Sequence, residues 1–310
     1  MILLEESDFS KKNIYQGAVL TLGVFDGVHI GHREIFDLLR SQALELDSKS
    51  LVITLSPDPE EILCPNKRFT LISPLDYKLE ILSQLDLDYA MVLKSDKELL
   101  GLGPREFFDK YIWERFHPKA IVVGEDFRFG NEREAETDIL RKLSSEYKFS
   151  LHIVPFLNYK VKKVSSSRIR EALSNGEIED VSYMLSQSPR FNGRVVPGEG
   201  RGRKLGFPTA NIITDYVFDL KKGVYTGWAL LRSKRLPALL YVGTAPTFGG
   251  KFLRFEVYIP RFSGYLYGKS MAFEIQSFLR EERLFSSKED IQKQLEIDRE
   301  SLVEEFSHEV

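Results

Sequence analysis

Two stretches of the chain have residue types and spacing suited to phosphate chemistry. The first is Gly23-Val24-Phe25-Asp26-Gly27-Val28-His29-Ile30-Gly31-His32, after an apolar run and before a helical pattern carrying Ile35, Phe36, Leu38 and Leu39. Glycines let a backbone approach an anion, and the free N–H groups and positive dipole end of a helix start favour negative charge. Gly23, Phe25, Asp26, Gly27 and Gly31 are therefore candidate nucleotide-binding positions. His29 and His32, three residues apart, can share one face of the first turn and address the same phosphate group. That pair suits adenylyl transfer, where an already ionised phosphate attacks, so positioning and charge stabilisation, with Mg²⁺, carry the rate. A second cluster, Lys162 to Arg170, sets hydroxyls and cations at another helix start; Ser166, Ser167 and the fork of Arg168 suit a leaving pyrophosphate. Taken singly, a histidine is often surface or core and a serine run often only a cap. The combination is what marks a site.

The second stretch is Gly198-Glu199-Gly200-Arg201-Gly202-Arg203-Lys204-Leu205-Gly206-Phe207-Pro208-Thr209-Ala210-Asn211. Glycines alternating with cations make a loop able to wrap phosphates, which points to Gly200, Arg203 and Gly206. Thr209 and Asn211 alternate on an extended segment, so both offer neutral oxygens on one side, where Mg²⁺ bound with nucleotide phosphates would fit. Phosphoryl transfer to a hydroxyl benefits from a base. Glu256 is the candidate, because alternation in Arg254-Phe255-Glu256-Val257-Tyr258 turns it to the same face as Arg254 and Tyr258.

The elements that must position these residues follow two grammars. From Ala18 to Pro155, short β-branched runs near Val19–Gly23, Ser50–Leu55, Tyr89–Leu93, Ala120–Gly124 and Ser150–Val154 alternate with helical patterns, Pro74 and Pro104 standing at helix starts. That is the pattern of a doubly wound parallel α/β sheet. Two short helical patterns follow, around Arg168–Leu173 and Ile178–Leu185, broken at Asn175 and Gly176. From Phe191 to Phe278, glycine, proline and aromatic residues punctuate runs at Gly227–Leu231, Leu239–Gly243, Arg254–Ile259 and Ser270–Ile275, the mark of a small antiparallel barrel or sandwich. Ser286 and Glu289 are spaced as a capping box before a helical stripe of Ile291, Leu295, Leu302 and Phe306, which should pack on the barrel. The change of grammar predicts a domain boundary near Ser186–Arg190.

Composition narrows the function classes. The 310 residues suffice for two domains, each with its own core. A single cysteine, Cys64, excludes an internal disulfide and suits a reducing compartment. No apolar run reaches the roughly 18 residues of a membrane span, and the N-terminal MILLEESDFSKKN lacks a secretory pattern, so a cytoplasmic chain without membrane partners is expected. Forty-three basic against 46 acidic residues give a net charge of -3, which disfavours nucleic acid as a partner.

His29-Ile30-Gly31-His32 resembles the HIGH signature of nucleotidyltransferases, and its setting Leu22–Gly27 resembles the N-terminal module of bacterial bifunctional riboflavin kinase/FAD synthetases. Val123–Gly130 is similar to that family's flavin-side motif, Ser165–Arg170 to its second ATP motif, and Phe207-Pro208-Thr209-Ala210-Asn211 to the riboflavin kinase signature. Gly223-Val224-Tyr225, Gly243–Phe248, Tyr267-Gly268 and Leu279-Arg280 followed by Phe285 also look like family motifs.

The resemblance implies a nucleotidyltransferase-like Rossmann domain over residues 1–186 that adenylates FMN to FAD. It implies a riboflavin kinase barrel with a C-terminal helix over residues 187–310. ATP, Mg²⁺ and flavins are the implied small molecules, in a monomer or weak homo-oligomer. It places His29, His32, Ser166, Ser167 and Arg168 on ATP, and Asp126 with neighbouring aromatics such as Phe127 beside FMN. Gly200, Arg203, Gly206, Pro208 and Tyr225 fall to the kinase ligands, and Glu256 to the base. The chain departs from the family at Asp58, where Pro-His-Pro is usual, at Ala135 for a glycine and at Ala245 for a basic residue. Two further readings stand beside this one: a kinase with the first module kept as scaffold, and a flavin-binding protein without catalysis.

Overall fold

The computed structural model describes residues 1–4, 15–66, 68–129, 136–232, 234–244 and 253–307. Gly130, Ala135 and the stretch from Ala245 to Phe248 lie outside them. The chain divides into two compact units, one of residues 1–69 and 74–165, the other of residues 70–73 and 166–310.

The first unit is a parallel sheet of β1 (Ile2–Leu4), β2 (Val19–Gly23), β3 (Ser50–Ser56), β4 (Tyr89–Lys94), β5 (Ala120–Gly124) and β6 (Ser150–Val154), in the order β1-β4-β3-β2-β5-β6. The five expected strands are present. The sixth, β1, pairs Ile2–Leu4 with Tyr89–Met91; three residues are too few to show a period, so only the pairing reveals it. Alternate residues supply both faces, with Leu20, Leu22, Leu51, Ile53, Ile121 and Val123 in one core and Val19, Val52, Ala120 and Val122 in another. The crossovers are α1 (Ile30–Glu45), α2 (Pro59–Leu63), α3 (Leu75–Ser83), α4 (Lys97–Gly101), α5 (Pro104–Phe107), a π-helical stretch (Phe108–Trp113), α6 (Glu114–Phe116) and α7 (Glu136–Tyr147). A two-stranded hairpin, β7 (Asn158–Tyr159) and β8 (Lys162–Lys163), completes the unit.

The order reverses between β2 and β5. They pair at Val19↔Ala120 and Leu20↔Ile121, and the strands part toward Gly23 and Gly124. A crevice at the carboxyl ends beside such a reversal is where doubly wound sheets bind ligands.

The second unit contains α8 (Ser166–Asn175) and α9 (Ile178–Leu185), separated at Gly176, whose φ of +78° suits glycine. The strands β9 (Arg190–Val196), β10 (Thr209–Ile213), β11 (Gly223–Leu231), β12 (Lys234–Thr244), β13 (Leu253–Tyr258) and β14 (Ser270–Arg280) close into an antiparallel barrel, with α10 (Arg201–Lys204) between β9 and β10. Pairing of β9 with both β10 and β14 removes the free edges, which decides for the barrel over the sandwich. The final helix, α11 (Lys288–Glu305), buries Leu302, and its C-cap Phe306, against Val224, Trp228 and Leu239. Its cap is Ser287, which accepts from the Asp290 N–H at 3.1 Å, one residue later than the expected Ser286. Consecutive serines carry the same cap chemistry, and the extended backbone of Ser287 at the helix start makes the choice. Asp298, buried in α11, receives both Arg280 Nε at 2.8 Å and Arg280 Nη2 at 2.7 Å, tying helix to barrel.

Candidate active sites

The turn after β2 places its histidines by backbone geometry. Phe25, Gly27 and Val28 have φ of 52°, 81° and 46°, a tight loop that ends with His29 as the N-cap of α1. His29 Nδ1 accepts from the His32 backbone N–H at 3.3 Å, so in the neutral ring the proton sits on Nε2. The two imidazoles stack, with centroids 3.6 Å apart, and the edge of Phe25 meets His32 at 5.2 Å. Gly23 and Gly31 make room for these rings. A Cβ on Gly23 would stand 2.9 Å from the Phe25 ring, and one on Gly31 3.2 Å from the His29 ring.

Burial pulls the His29 imidazole down to about 4, against the opposing pull of Asp126. Burial, together with the charges of His29 and Lys78, holds His32 well below the ordinary imidazole range. Both rings are neutral donors at neutral pH. His32 Nδ1 is buried with no hydrogen-bond partner, as is Thr21 Oγ1 on β2. Such atoms are costly unless a ligand or water meets them.

Asp26 is buried in the same loop. Asp126, after β5, is exposed and paired with Lys163 of β8, whose ammonium also lies 3.5 Å from the Phe156 ring centre. Phe127 is half-buried and stacks on Phe129 at 5.4 Å. Lys78 of α3 belongs to none of the sequence motifs. It is buried, donates to Val24 O at 2.7 Å and to Thr54 Oγ1 at 3.2 Å, and feels Asp26 and Asp58. Burial lowers its proton affinity. Its signal in the sequence is a lysine on the apolar stripe with Ile81 and Leu82. Asp58 caps α2 in a reciprocal capping box, accepting from the Glu60 N–H at 2.9 Å while Glu61 reaches back to its own N–H. That is a helix-capping use for the carboxylate. Ser166, Ser167 and Arg168 form the first turn of α8 in the second unit, with Ser167 exposed and the other two half-buried.

In the barrel, register brings the second set together. Asn211 of β10 lies opposite Glu256 of β13, and Thr209 opposite Tyr258. Thr209 Oγ1 donates to Glu256 Oε2 at 2.9 Å, and the Arg254 guanidinium stands 2.9 Å from Glu256 Oε1. The hydroxyl proton is spent on the carboxylate, so the Thr209 oxygen keeps its lone pairs for a cation. The loop from Gly198 lies directly over Asn211. A Cβ at Gly198 would fall 2.1 Å from Asn211 Nδ2, and one at Gly202 would fall 2.3 Å from Phe207 O. Gly200 and Gly206, with φ of +68° and +86°, bound α10, and Arg203 in α10 and Pro208 after it are exposed. Oxygen donors under a glycine cradle fit a hard divalent cation. Tyr225 is fully buried, its hydroxyl donating to Lys221 O at 2.6 Å.

A doubly wound sheet with an anion-ready switch point, joined to a closed barrel with a carboxylate and neutral oxygens, defines a nucleotide-dependent transferase class. Comparison with known proteins narrows it. The model for FAD synthetase matches residues 11–168, and that for riboflavin kinase matches residues 185–306. The bifunctional riboflavin kinase/FMN adenylyltransferase of Escherichia coli K12 is 31% identical over 281 residues, 90% of each chain. That of Listeria monocytogenes is 31% identical over 284 residues, again 90% of each. A crystal structure described as a macrolide-efflux protein from Streptococcus pneumoniae, 28% identical, superposes with a TM-score of 0.86 over 97% of this chain and 98% of its own. The chain belongs to the bifunctional riboflavin kinase/FMN adenylyltransferase family. Among the described residues no helix is long and apolar enough to cross a membrane.

Proposed function

We infer that the chain makes FAD in two steps, phosphorylating riboflavin to FMN and adenylating FMN with release of pyrophosphate. The observation that carries this is the presence in one chain of two differently built sites: a neutral imidazole pair at a sheet's switch point, and a carboxylate hydrogen-bonded to a threonine in a barrel.

In the kinase step Glu256 takes the proton of the ribityl hydroxyl, whose oxygen attacks the γ-phosphorus of ATP as the bond to the β-phosphate oxygen breaks and ADP leaves. Thr209 and Asn211 would hold Mg²⁺, which when bound neutralises phosphate charge. Gly200, Arg203, Gly206 and Pro208 follow the nucleotide with the loop, and Tyr225 is proposed to support the wall behind it. In the adenylyl step an FMN phosphate oxygen attacks the α-phosphorus of ATP, and pyrophosphate leaves. No base is needed; His29 and His32 donate to phosphate oxygens, with Gly23, Phe25, Asp26, Gly27 and Gly31 shaping the turn that holds them. Asp126 and Phe127 are proposed to border the flavin. For Ser166, Ser167 and Arg168 the assignment to ATP rests on their motif. We assign the adenylyltransferase to residues 1–186 and the kinase to residues 187–310, in a cytoplasmic monomer or weak homo-oligomer that uses no nucleic acid.

The test is incubation of the chain with riboflavin, ATP and Mg²⁺, with FMN and FAD followed by chromatography. FMN rising first and FAD after it is the expected course. FMN alone would leave a kinase with a scaffold module, and no flavin nucleotide would leave a binding protein.

A further inference from the structure

We propose that Arg254 is a positioning residue for the kinase step, fixing the Glu256 carboxylate through one of its oxygens while Thr209 holds the other. The inference rests on the reading of Glu256 as the base. Arg254 and Glu256 alternate on β13, so their side chains leave the same face, and the guanidinium Nε lies 2.9 Å from Glu256 Oε1. The contact is an ion pair without the alignment of an N–H···O hydrogen bond, since the buried Nε has no hydrogen-bond partner. It therefore restrains Oε1 by charge, while the directed bond from the Thr209 hydroxyl sets Oε2.

The guanidinium is itself positioned. The Tyr241 ring of β12, directly opposite Glu256 in register, lies under it with the centroid 5.9 Å from Cζ. The Tyr241 hydroxyl donates to Glu282, and burial followed by that carboxylate pushes the phenol up to about 12, so the ring beneath the guanidinium remains neutral. The run is Glu282, Tyr241, Arg254, Glu256, Thr209, reaching from the segment after β14 through β12 and β13 to β10. A base must be presented within hydrogen-bond reach of its proton, and small misplacement is costly in rate. A carboxylate held at both oxygens has little freedom to swing away.

The experiment measures kcat and KM for riboflavin and for ATP in the full chain carrying Arg254→Met and, separately, Arg254→Lys. FAD formation from supplied FMN and thermal melting are read on the same samples. The expected result is a kcat for FMN formation reduced about tenfold in Arg254→Met, with both KM values within about twofold of the parent, FAD formation unchanged, and most of kcat restored in Arg254→Lys. Unchanged kcat in Arg254→Met overturns the proposal, as does a rise in KM alone, which would make Arg254 a binding residue. Should Arg254→Met melt early, Arg254→Lys decides: a folded lysine variant no more active than the methionine one also overturns it. Absence of riboflavin phosphorylation in the parent chain would instead defeat the reading of Glu256.

Discussion

His29 is neutral in the folded chain because the residue is only 6% exposed, and burial outweighs the attraction of Asp126. The unfolded chain has an ordinary imidazole. Between about pH 4 and 6.5 the unfolded state therefore binds the extra proton, so stability rises with pH across that window and falls on acidification. The effect is on the order of 3 kcal/mol. Urea melts at pH 7 and pH 5 should show about 2 kcal/mol of this loss in the parent chain and a smaller one in His29→Asn. A second expectation concerns division of labour. Glu256→Gln should lower FMN formation about a hundredfold, the scale of a general base, while FAD formation from supplied FMN persists. His32→Asn should do the reverse, because its imidazole lies in the other unit. Parallel loss of both activities in either variant would contradict the assignment.

At the scale of elements, the two sites use glycine differently. In the turn after β2, positive φ at Phe25, Gly27 and Val28 aims the N-cap histidine, and α1 then fixes its partner one turn on. In the barrel loop the absent Cβ at Gly198 is what admits Asn211. Gly198→Ala should displace the Asn211 amide and raise the kinase KM for ATP about tenfold, leaving adenylation untouched; steady-state kinetics of both reactions on one preparation checks this. The spacing of Thr209, Asn211 and Glu256 already indicated faces, since alternation is a local property of strands. It carried no information on which strands are neighbours. The bond joins Thr209 to Glu256, 47 residues apart, and requires β10 and β13 to pair in one register, which only the assembled sheet supplies.

At the scale of the molecule, compact packing and the proposed division of activities fall at different places. α8 and α9 pack within the second unit, and Ile178, Val181, Met184 and Leu185 are buried there. A fragment beginning near Ser188 retains every strand of the barrel and should phosphorylate riboflavin by itself. One beginning at Ser166 should do so with a higher melting temperature, because each of those apolar side chains contributes about 1.5 to 3 kcal/mol when fully buried. Comparing the two fragments by calorimetry and FMN formation tests both statements. Equal melting temperatures would show that the helices add nothing to the barrel.

By itself the sequence determined the strands β2 to β6, the two glycine-rich turns, the paired histidines and the face shared by Arg254 and Glu256, because periodicity and turn chemistry act over a few residues. Only the tertiary structure decided the rest: the edge strand β1, the barrel's closure, the cap at Ser287, the capping use of Asp58 and the buried Lys78 under the histidine turn. Each depends on groups distant in sequence, or on which of two equivalent neighbours the packed chain selects. Burial and proximity, which make two ordinary histidines neutral and bring a threonine to a glutamate, exist only once the sheets are assembled.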